Sequence, residues 1–178
     1  YNNYHKNCKS NYGKDEYAMK KFTIQKIVLS GILSALVFVV TSFTMIRFPF
    51  ALVKEAYFHA GDSIIFLSGL VLGGPMAAIA GGVGSFFADL YLGAPVYMFA
   101  TLIIKGIMGG VAGHFLYFPK NKNKIQGTLL GLSIAGSWMA LAYYLYEVVF
   151  LGINWLANLP NLVINFLQAA IGIIIYLP

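Results

Sequence analysis

The sequence predicts an all-α integral membrane protein, a bundle of six transmembrane helices with both termini on the cytoplasmic side. A repeated motif is the first observation: residues 70–75 (LVLGGP) recur as residues 90–95 (LYLGAP), twenty positions later. Twenty helical residues rise about 30 Å, the thickness of the hydrocarbon core of a bilayer. Proline suits a first helical turn and glycine the end of the preceding helix, so each copy marks a turn between two helices.

Composition is the second observation. Hydrophobic residues make up 59% of the 178 residues and charged residues only 10%, with a mean hydropathy of +0.74, which excludes an ordinary soluble domain. The net charge of +6 comes from lysines that cluster at the amino-terminal end and in one loop, which is a topology signal rather than a sign of a nucleic-acid partner. The single cysteine, Cys8, excludes an intramolecular disulfide framework.

The chain divides into a polar leader and one membrane domain. Residues 1–18 are polar and aperiodic, so we expect a non-native or disordered leader or tail, followed by a single six-helix membrane domain over 19–178. Apolar length and Gly/Pro punctuation predict helices over about 22–46, 62–73, 75–92, 95–118, 125–149 and 160–177.

Lysine placement orients these helices. The lysine-rich start and the lysines of 119–124 fall on one face if the helices cross in sequence, and positive loops are typically cytoplasmic. The segments 47–61, 92–95 and 150–159 are then predicted to face outward.

Three charged residues lie inside predicted helices: Lys105, Asp89 and Glu147. A charge at the bilayer centre costs at least ~2.5–3.5 kcal/mol on insertion scales, so each needs a partner or a watery cavity. Side chains lean toward the amino terminus of their helix, so these three could meet at one level in the outer half of the membrane. The sequence leaves two alternatives open, a salt-bridged strut between helices or a ligand-binding role.

Further polar residues recur at helical spacing near the same level. On the fourth helix Tyr97, Thr101 and Lys105 share a face, and the fifth helix offers Tyr143 as a stacking surface. An amide series runs through the sixth: Asn154, Asn158, Asn161, Asn165 and Gln168. Two roles are open for these amides: binding a polar ligand, or hydrogen bonding between helices.

Small residues predict close helix packing. The third helix carries Ala77, Gly81, Ser85 and Ala88, and the fourth carries Gly106, Gly109, Gly110 and Gly113. On the first helix Gly31 and Ala35 form a small-x-x-x-small pair, for which both internal packing and an external docking face are open.

Catalytic and cofactor motifs are not found in the sequence. His59 and His114 are predicted on opposite membrane faces, so they cannot share a metal, and there is no phosphate-binding loop for ATP hydrolysis. We therefore predict neither an enzyme nor a cofactor or metal site.

The block 61–113 carries a family resemblance. Its segments 61–75 (GDSIIFLSGLVLGGP), 81–90 (GGVGSFFADL) and 104–106 (IKG) resemble the substrate-binding (S) components of energy-coupling factor (ECF) vitamin transporters, and the likeness extends over about 19–177. It is greatest for the S components assigned to pyridoxine or hydroxymethylpyrimidine, with riboflavin-type relatives close behind.

The resemblance implies high-affinity capture of a vitamin at the outer side of a prokaryotic cell membrane. It also implies docking, through Gly31 and Ala35, on a transmembrane coupling subunit that two cytoplasmic ATPases drive. A riboflavin-type S component, a stand-alone small secondary transporter and a membrane enzyme remain alternatives. We predict a lid at 47–61 and a pocket lined by Tyr97, Thr101, Lys105, Tyr143, Glu147, Asn161 and Asn165, with Asp89 at its edge.

Overall fold

The protein is a bundle of α-helices in this computed structural model, which describes residues 24–47, 57–117 and 124–176. Two very short strands, β1 (Ile46–Arg47) and β2 (Tyr57–Phe58), follow the first helix. The helices are α1 (Ile24–Phe43), α2 (Gly61–Leu72), α3 (Gly74–Tyr91), α4 (Met98–Tyr117), α5 (Lys124–Val149) and α6 (Leu159–Tyr176). The predicted leader, 1–18, lies outside the described residues.

The six predicted helices are confirmed among the residues that the structure describes, with small differences at their ends. Helix α1 ends at Phe43 rather than near residue 46, because the chain continues into β1. Helix α4 begins at Met98 rather than at residue 95, because residues 94–97 form a turn in which the Tyr97 amide donates to the Ala94 carbonyl at 3.0 Å.

Both copies of the repeated motif are turns between helices, as predicted. In the first copy Gly73 has a φ of 78°, a conformation that glycine adopts without steric cost, and Pro75 lies in the first turn of α3. In the second copy Gly93 has a φ of 75° after the end of α3. Local turn chemistry therefore sets these helix boundaries.

Four helices, α1, α4, α5 and α6, are long and apolar enough to cross a membrane. Helix α2 has 12 residues and rises only about 18 Å, less than the thickness of the hydrocarbon core. The protein is thus an all-helical membrane protein. Six complete crossings and cytoplasmic termini stay predictions.

Large apolar side chains cover much of the outside of the bundle, while polar side chains are buried inside it. Phe43, Ile125, Val149 and Phe150 are each more than 65% exposed, which suits lipid rather than water. The buried polar residues include Asp62, Lys105, Glu147, Asn158 and Gln168. Such residues inside a membrane bundle mark candidate functional sites.

Helices α3 and α4 approach closely through their small residues, as the sequence predicts. A Cβ atom added at Gly109 would lie 2.5 Å from the Ala77 carbonyl oxygen, and one at Gly81 would lie 3.0 Å from the Lys105 carbonyl oxygen. The apolar core lies between α2, α4, α5 and α6 and includes Phe66, Met108, Leu116, Leu132 and Met139. The polar site lies toward the other end of the bundle, next to the β1–β2 hairpin.

The hairpin joins the end of α1 to the start of α2. Strands β1 and β2 pair antiparallel, with Ile46 opposite Phe58 and Arg47 opposite Tyr57. Residues 48–56 of the predicted lid lie outside the described residues. Its base is anchored, since the Ala60 amide donates to Thr44 Oγ1 at 2.9 Å.

Candidate ligand-binding site

A polar cavity lies between the helices near the hairpin. Every helix except α2 contributes to its wall, and so does the segment after β2. Its volume is about 50 Å³, room for a few water molecules and well below the ~300–1,000 Å³ of typical small-molecule pockets. All of its lining side chains can form hydrogen bonds: Thr41, His59, Ser85, Asp89, Tyr97, Thr101, Tyr143, Glu147, Asn165 and Gln168.

Glu147 organises one side of this cavity. It lies in the last turn of α5 and is buried, and each of its carboxylate oxygens accepts a hydrogen bond. The Tyr97 hydroxyl donates to Oε1 at 3.1 Å and Asn158 Nδ2 donates to Oε2 at 2.8 Å. Asn161 Nδ2 donates in turn to Asn158 Oδ1 at 3.0 Å. This network joins the turn before α4, the end of α5 and the start of α6.

A buried ion pair joins α2 to α4. The Lys105 ammonium contacts Asp62 Oδ1, and both side chains are almost fully buried. Gln168 Nε2 donates to the other Asp62 oxygen at 2.8 Å. Lys105 Nζ also lies 2.8 Å from the Met139 sulfur and 5.7 Å from the centre of the Tyr143 ring. The pair therefore links four helices.

His59 connects the hairpin to the ion pair. Its backbone amide donates to Gln168 Oε1 at 3.2 Å, and its ring Nδ1 accepts from the Gly61 amide at 3.0 Å. Burial lowers the pKa of His59 from 6.5 to about 4; Asp62 opposes this shift and Lys105 adds to it. The ring is thus neutral at physiological pH, which matches its role as a hydrogen-bond acceptor.

Two tyrosines supply the aromatic surface of the cavity. The Tyr143 hydroxyl donates to Thr101 Oγ1 at 2.9 Å. The Tyr97 and Tyr143 ring centres are 6.3 Å apart. Their faces can stack against a flat heteroaromatic ring, while neighbouring amides and carboxylates can hydrogen-bond to its edge.

The structure brings most of the predicted pocket residues together. Around one cavity lie Tyr97, Thr101, Tyr143, Glu147, Asn165 and Asp89. Lys105 and Asn161 do not line it; each contacts a residue of the surrounding networks instead. Lys105 is paired with Asp62 rather than with Asp89 or Glu147, and this geometry favours the strut alternative for Lys105.

Several residues of the site were not among those predicted from the sequence. Asp62 is a charged residue near the start of a predicted membrane helix, a signal that could have identified it. Gln168 closes the predicted amide series, and His59 belongs to the predicted lid over 47–61, from which it was expected to face the polar edge of the ligand. Thr41 and Ser85 carry no sequence signal, because hydroxyl residues are common in membrane helices.

Gly31 and Ala35 line a separate feature, an apolar groove between α1 and α3. Its volume is about 630 Å³, and its other lining residues are Ser34, Phe38, Val83, Gly84, Phe87, Leu90 and Tyr91. A Cβ atom added at Gly31 would meet nothing within 4 Å. The small pair thus lies on the outer surface of the bundle rather than in its internal packing.

A family profile matches nearly the whole chain. The family described as "ECF-type riboflavin transporter, S component" matches residues 21–178. An uncharacterised protein of Pyrococcus woesei is 33% identical over 132 residues, which cover 74% of this chain and 84% of the relative. The thiamine precursor transporter HmpT of Lactococcus lactis is 29% identical over 157 residues, which cover 88% of this chain and 86% of HmpT.

A solved structure shares the fold. The crystal structure of FolT bound with folic acid superposes with a TM-score of 0.63 at 19% identity, covering 84% of this chain and 89% of FolT. At this identity the likeness concerns the arrangement of the helices alone.

Proposed function

Because the chain belongs to the family of S components of ECF-type transporters, we propose that it captures a B-type vitamin or vitamin precursor for ATP-driven import. The cavity near the hairpin carries this proposal. It is a buried polar site with two tyrosine rings inside a bundle whose surface is apolar, which is how a membrane protein can hold a polar, flat ligand.

Pyridoxine or hydroxymethylpyrimidine is the ligand class we favour. These are single-ring compounds with hydroxyl and ring-nitrogen groups, and the polar lining of the cavity suits them. The small volume of the cavity supports a small ligand, since a larger one requires the lining side chains to move further apart. The similarity to HmpT, a thiamine precursor transporter, supports the same class.

Riboflavin is the second candidate, because the matching family is described as a riboflavin transporter S component. Either ligand requires the lining side chains of this cavity of about 50 Å³ to move apart, and a flavin requires the larger movement. We expect the single-ring ligand to bind more tightly.

Residues at the edge of the cavity have proposed roles. Tyr97 and Tyr143 stack on the ligand ring, while Thr101, Glu147, Asn165 and Asp89 bind its polar groups. Asn161 is proposed to position Asn158 beside Glu147. Lys105 is proposed to position Tyr143 directly, and Gln168 through Asp62. The lid over 47–61 is proposed to close above the ring and exclude water.

Import is proposed to need partner subunits. A transmembrane coupling subunit would dock on the groove that contains Gly31 and Ala35, and two cytoplasmic ATPases would supply the energy in a prokaryotic cell membrane. This chain would then not be an enzyme. Family membership favours this arrangement over a stand-alone secondary transporter.

A binding screen tests the proposal. The full chain, purified in detergent, is titrated calorimetrically with pyridoxine, hydroxymethylpyrimidine, riboflavin, thiamine and folate. We expect submicromolar binding of a single-ring compound, corresponding to more than about 8 kcal/mol. Binding of none of these compounds would refute the proposal, and uptake by cells that lack the coupling subunit and ATPases would point to a stand-alone transporter.

A further inference from the structure

The side of the cavity formed by α1 and α3 carries two hydroxyl groups without a hydrogen-bond partner among the described residues. These are Thr41 Oγ1 and Ser85 Oγ. Their side chains are only 1% and 2% exposed, and both residues line the cavity. They come from different helices, so a single local distortion does not explain both.

Two other hydroxyls in or next to helices donate to a backbone carbonyl four residues earlier. Thr44 Oγ1 donates to the Val40 carbonyl and Ser68 Oγ to the Ile64 carbonyl, each at 2.7 Å. Thr41 and Ser85 make no such bond. A buried hydroxyl without a partner costs about 1–3 kcal/mol. Because Thr41 and Ser85 line the cavity, a group that enters the cavity can remove this cost for both.

The polar groups on the α4–α5 side are, by contrast, already engaged with each other. The Tyr97 hydroxyl donates to Glu147, and the Tyr143 hydroxyl donates to Thr101. This side offers ring faces, whereas the α1–α3 side offers hydroxyls. Asp89 lies one helical turn after Ser85 and lines the same cavity, so its carboxylate can accept a hydrogen bond beside the Ser85 hydroxyl.

We propose that Thr41 and Ser85 form a subsite that binds an alcohol hydroxyl of the ligand. A hydroxyl can donate to one of these side chains and accept from the other, which satisfies both. An alcohol hydroxyl is also the group that pyridoxine, hydroxymethylpyrimidine and riboflavin share. This inference rests on the proposed function and adds that α1 and α3 contribute to recognition of the ligand.

Pairs of ligands with and without the hydroxyl test the subsite. The probes are hydroxymethylpyrimidine and its methyl analogue, pyridoxine and its deoxy analogues, and riboflavin and lumiflavin, titrated calorimetrically into the full chain. We consider a pair whose hydroxylated member binds the wild-type protein. Ser85→Ala and Thr41→Val should each lower the affinity for that member about tenfold. The affinity of the analogue that lacks the contacted hydroxyl should change less than about twofold in these variants, because that analogue cannot form the hydrogen bond in the wild-type protein either.

Two further variants control for effects on the fold. Thr41→Ser keeps the hydroxyl and should recover most of the affinity that Thr41→Val loses. Ser42→Ala removes a neighbouring hydroxyl that also lacks a partner among the described residues but does not line the cavity, and it should leave every affinity unchanged.

The outcomes separate the two hypotheses. If the wild-type protein binds a probe but Ser85→Ala and Thr41→Val weaken every member of its set equally, or weaken none, the subsite is wrong and the proposed function stands. If the wild-type protein binds no probe but binds thiamine or folate, the subsite is wrong and the proposed function stands. If it binds none of these compounds, the proposed function is wrong, and the subsite is refuted with it.

Discussion

Lys105 illustrates how a single residue acquires its role from its neighbours. It lies two turns into α4, where an unpaired ammonium would be costly, and Asp62 of α2 neutralises it. Gln168 and Met139 occupy further positions around the pair. Both charges are satisfied within the bundle, so we expect the pair to stabilise the positions of the hairpin and of Tyr143 rather than to offer a free charge to the proposed ligand.

A double-mutant cycle tests this pairing. Lys105→Met and Asp62→Asn should each lower the stability of the purified protein by about 3–5 kcal/mol, because each leaves one buried charge uncompensated. The double variant should recover much of that loss. Thermal unfolding in detergent measures the cycle, with ligand affinity as a second readout.

Asp89→Asn is the matched control for that cycle. It changes another buried carboxylate, which lines the cavity, and should not couple to Lys105→Met. Recovery in the Asp89→Asn/Lys105→Met protein, and not in the Asp62 double variant, would contradict the pairing.

His59 makes stability depend on pH. Its pKa is lowered to about 4 in the folded protein against 6.5 in the unfolded chain, so the unfolded chain binds the proton more readily. The contribution of the neutral ring to the free energy of unfolding is fully present above pH 6.5 and is lost as pH falls toward 4. At pH 5 the loss is about 2 kcal/mol. Asp62 and Lys105 are the charged groups facing the ring.

His59→Gln is the variant for comparison. Melting temperatures between pH 7.5 and 5 should fall more steeply for the wild-type protein than for this variant, which has no titrating ring. Equal slopes for the two proteins would show that His59 does not become charged over this range.

At the scale of helices, the glycines of α4 decide how closely it approaches α3. At Gly109 a Cβ atom would lie 2.5 Å from the Ala77 carbonyl oxygen, whereas at Gly106 the nearest atom would be 3.5 Å away. In lipid, where no hydrophobic drive joins the helices, such close contact supplies the association. The two positions lie on one helix and differ in their burial and in how closely they approach the α3 backbone.

Gly109→Ala and Gly106→Ala form a matched pair. Gly109→Ala should destabilise the protein by about 1–3 kcal/mol, because the backbones must move apart. Gly106→Ala should be neutral or stabilising by up to about 1 kcal/mol, since alanine favours the helix. Thermal unfolding measures both, and equal effects at the two positions would contradict close α3–α4 packing.

At the scale of the whole molecule, two surfaces with different chemistry are separated. The polar cavity lies near the hairpin, whereas the groove between α1 and α3 is apolar and open to the outside. Helix α1 contributes Thr41 to the first and Gly31 and Ala35 to the second. The proposed ligand binding and the proposed docking can therefore be tested separately.

Gly31→Leu or Ala35→Leu should abolish ATP-driven uptake while leaving vitamin affinity within about twofold, because the added bulk fills the groove without entering the cavity. Radiolabelled uptake with the coupling subunit and ATPases co-expressed, compared with calorimetry on the purified chain, measures the difference. Ala170→Leu, on the exposed side of α6 and outside the groove, is the control and should affect neither. Equal loss of binding and uptake would show that the groove is part of the internal packing.

The sequence by itself determined the membrane class, the number of helices and most of their boundaries. Turn chemistry is local: Gly73 and Pro75 end one helix and begin the next whatever lies nearby. Helical spacing predicted three residues that line the cavity, Tyr97, Thr101 and Asn165. The cost of a charge inside the membrane predicted Asp89 and Glu147, which line it as well.

Only the tertiary structure decided which helices adjoin, and hence which polar groups meet. Levels along a helix can be counted from the sequence, but the partner of Lys105 depends on α2 packing beside α4, which brings Asp62 rather than Asp89 to the ammonium. Thr41 and Ser85 likewise acquire significance only because α1 and α3 close one side of the cavity. Periodicity in the sequence determines which residues share one face of a helix. A binding site depends on how several helices pack together, and that packing joins residues far apart in the sequence.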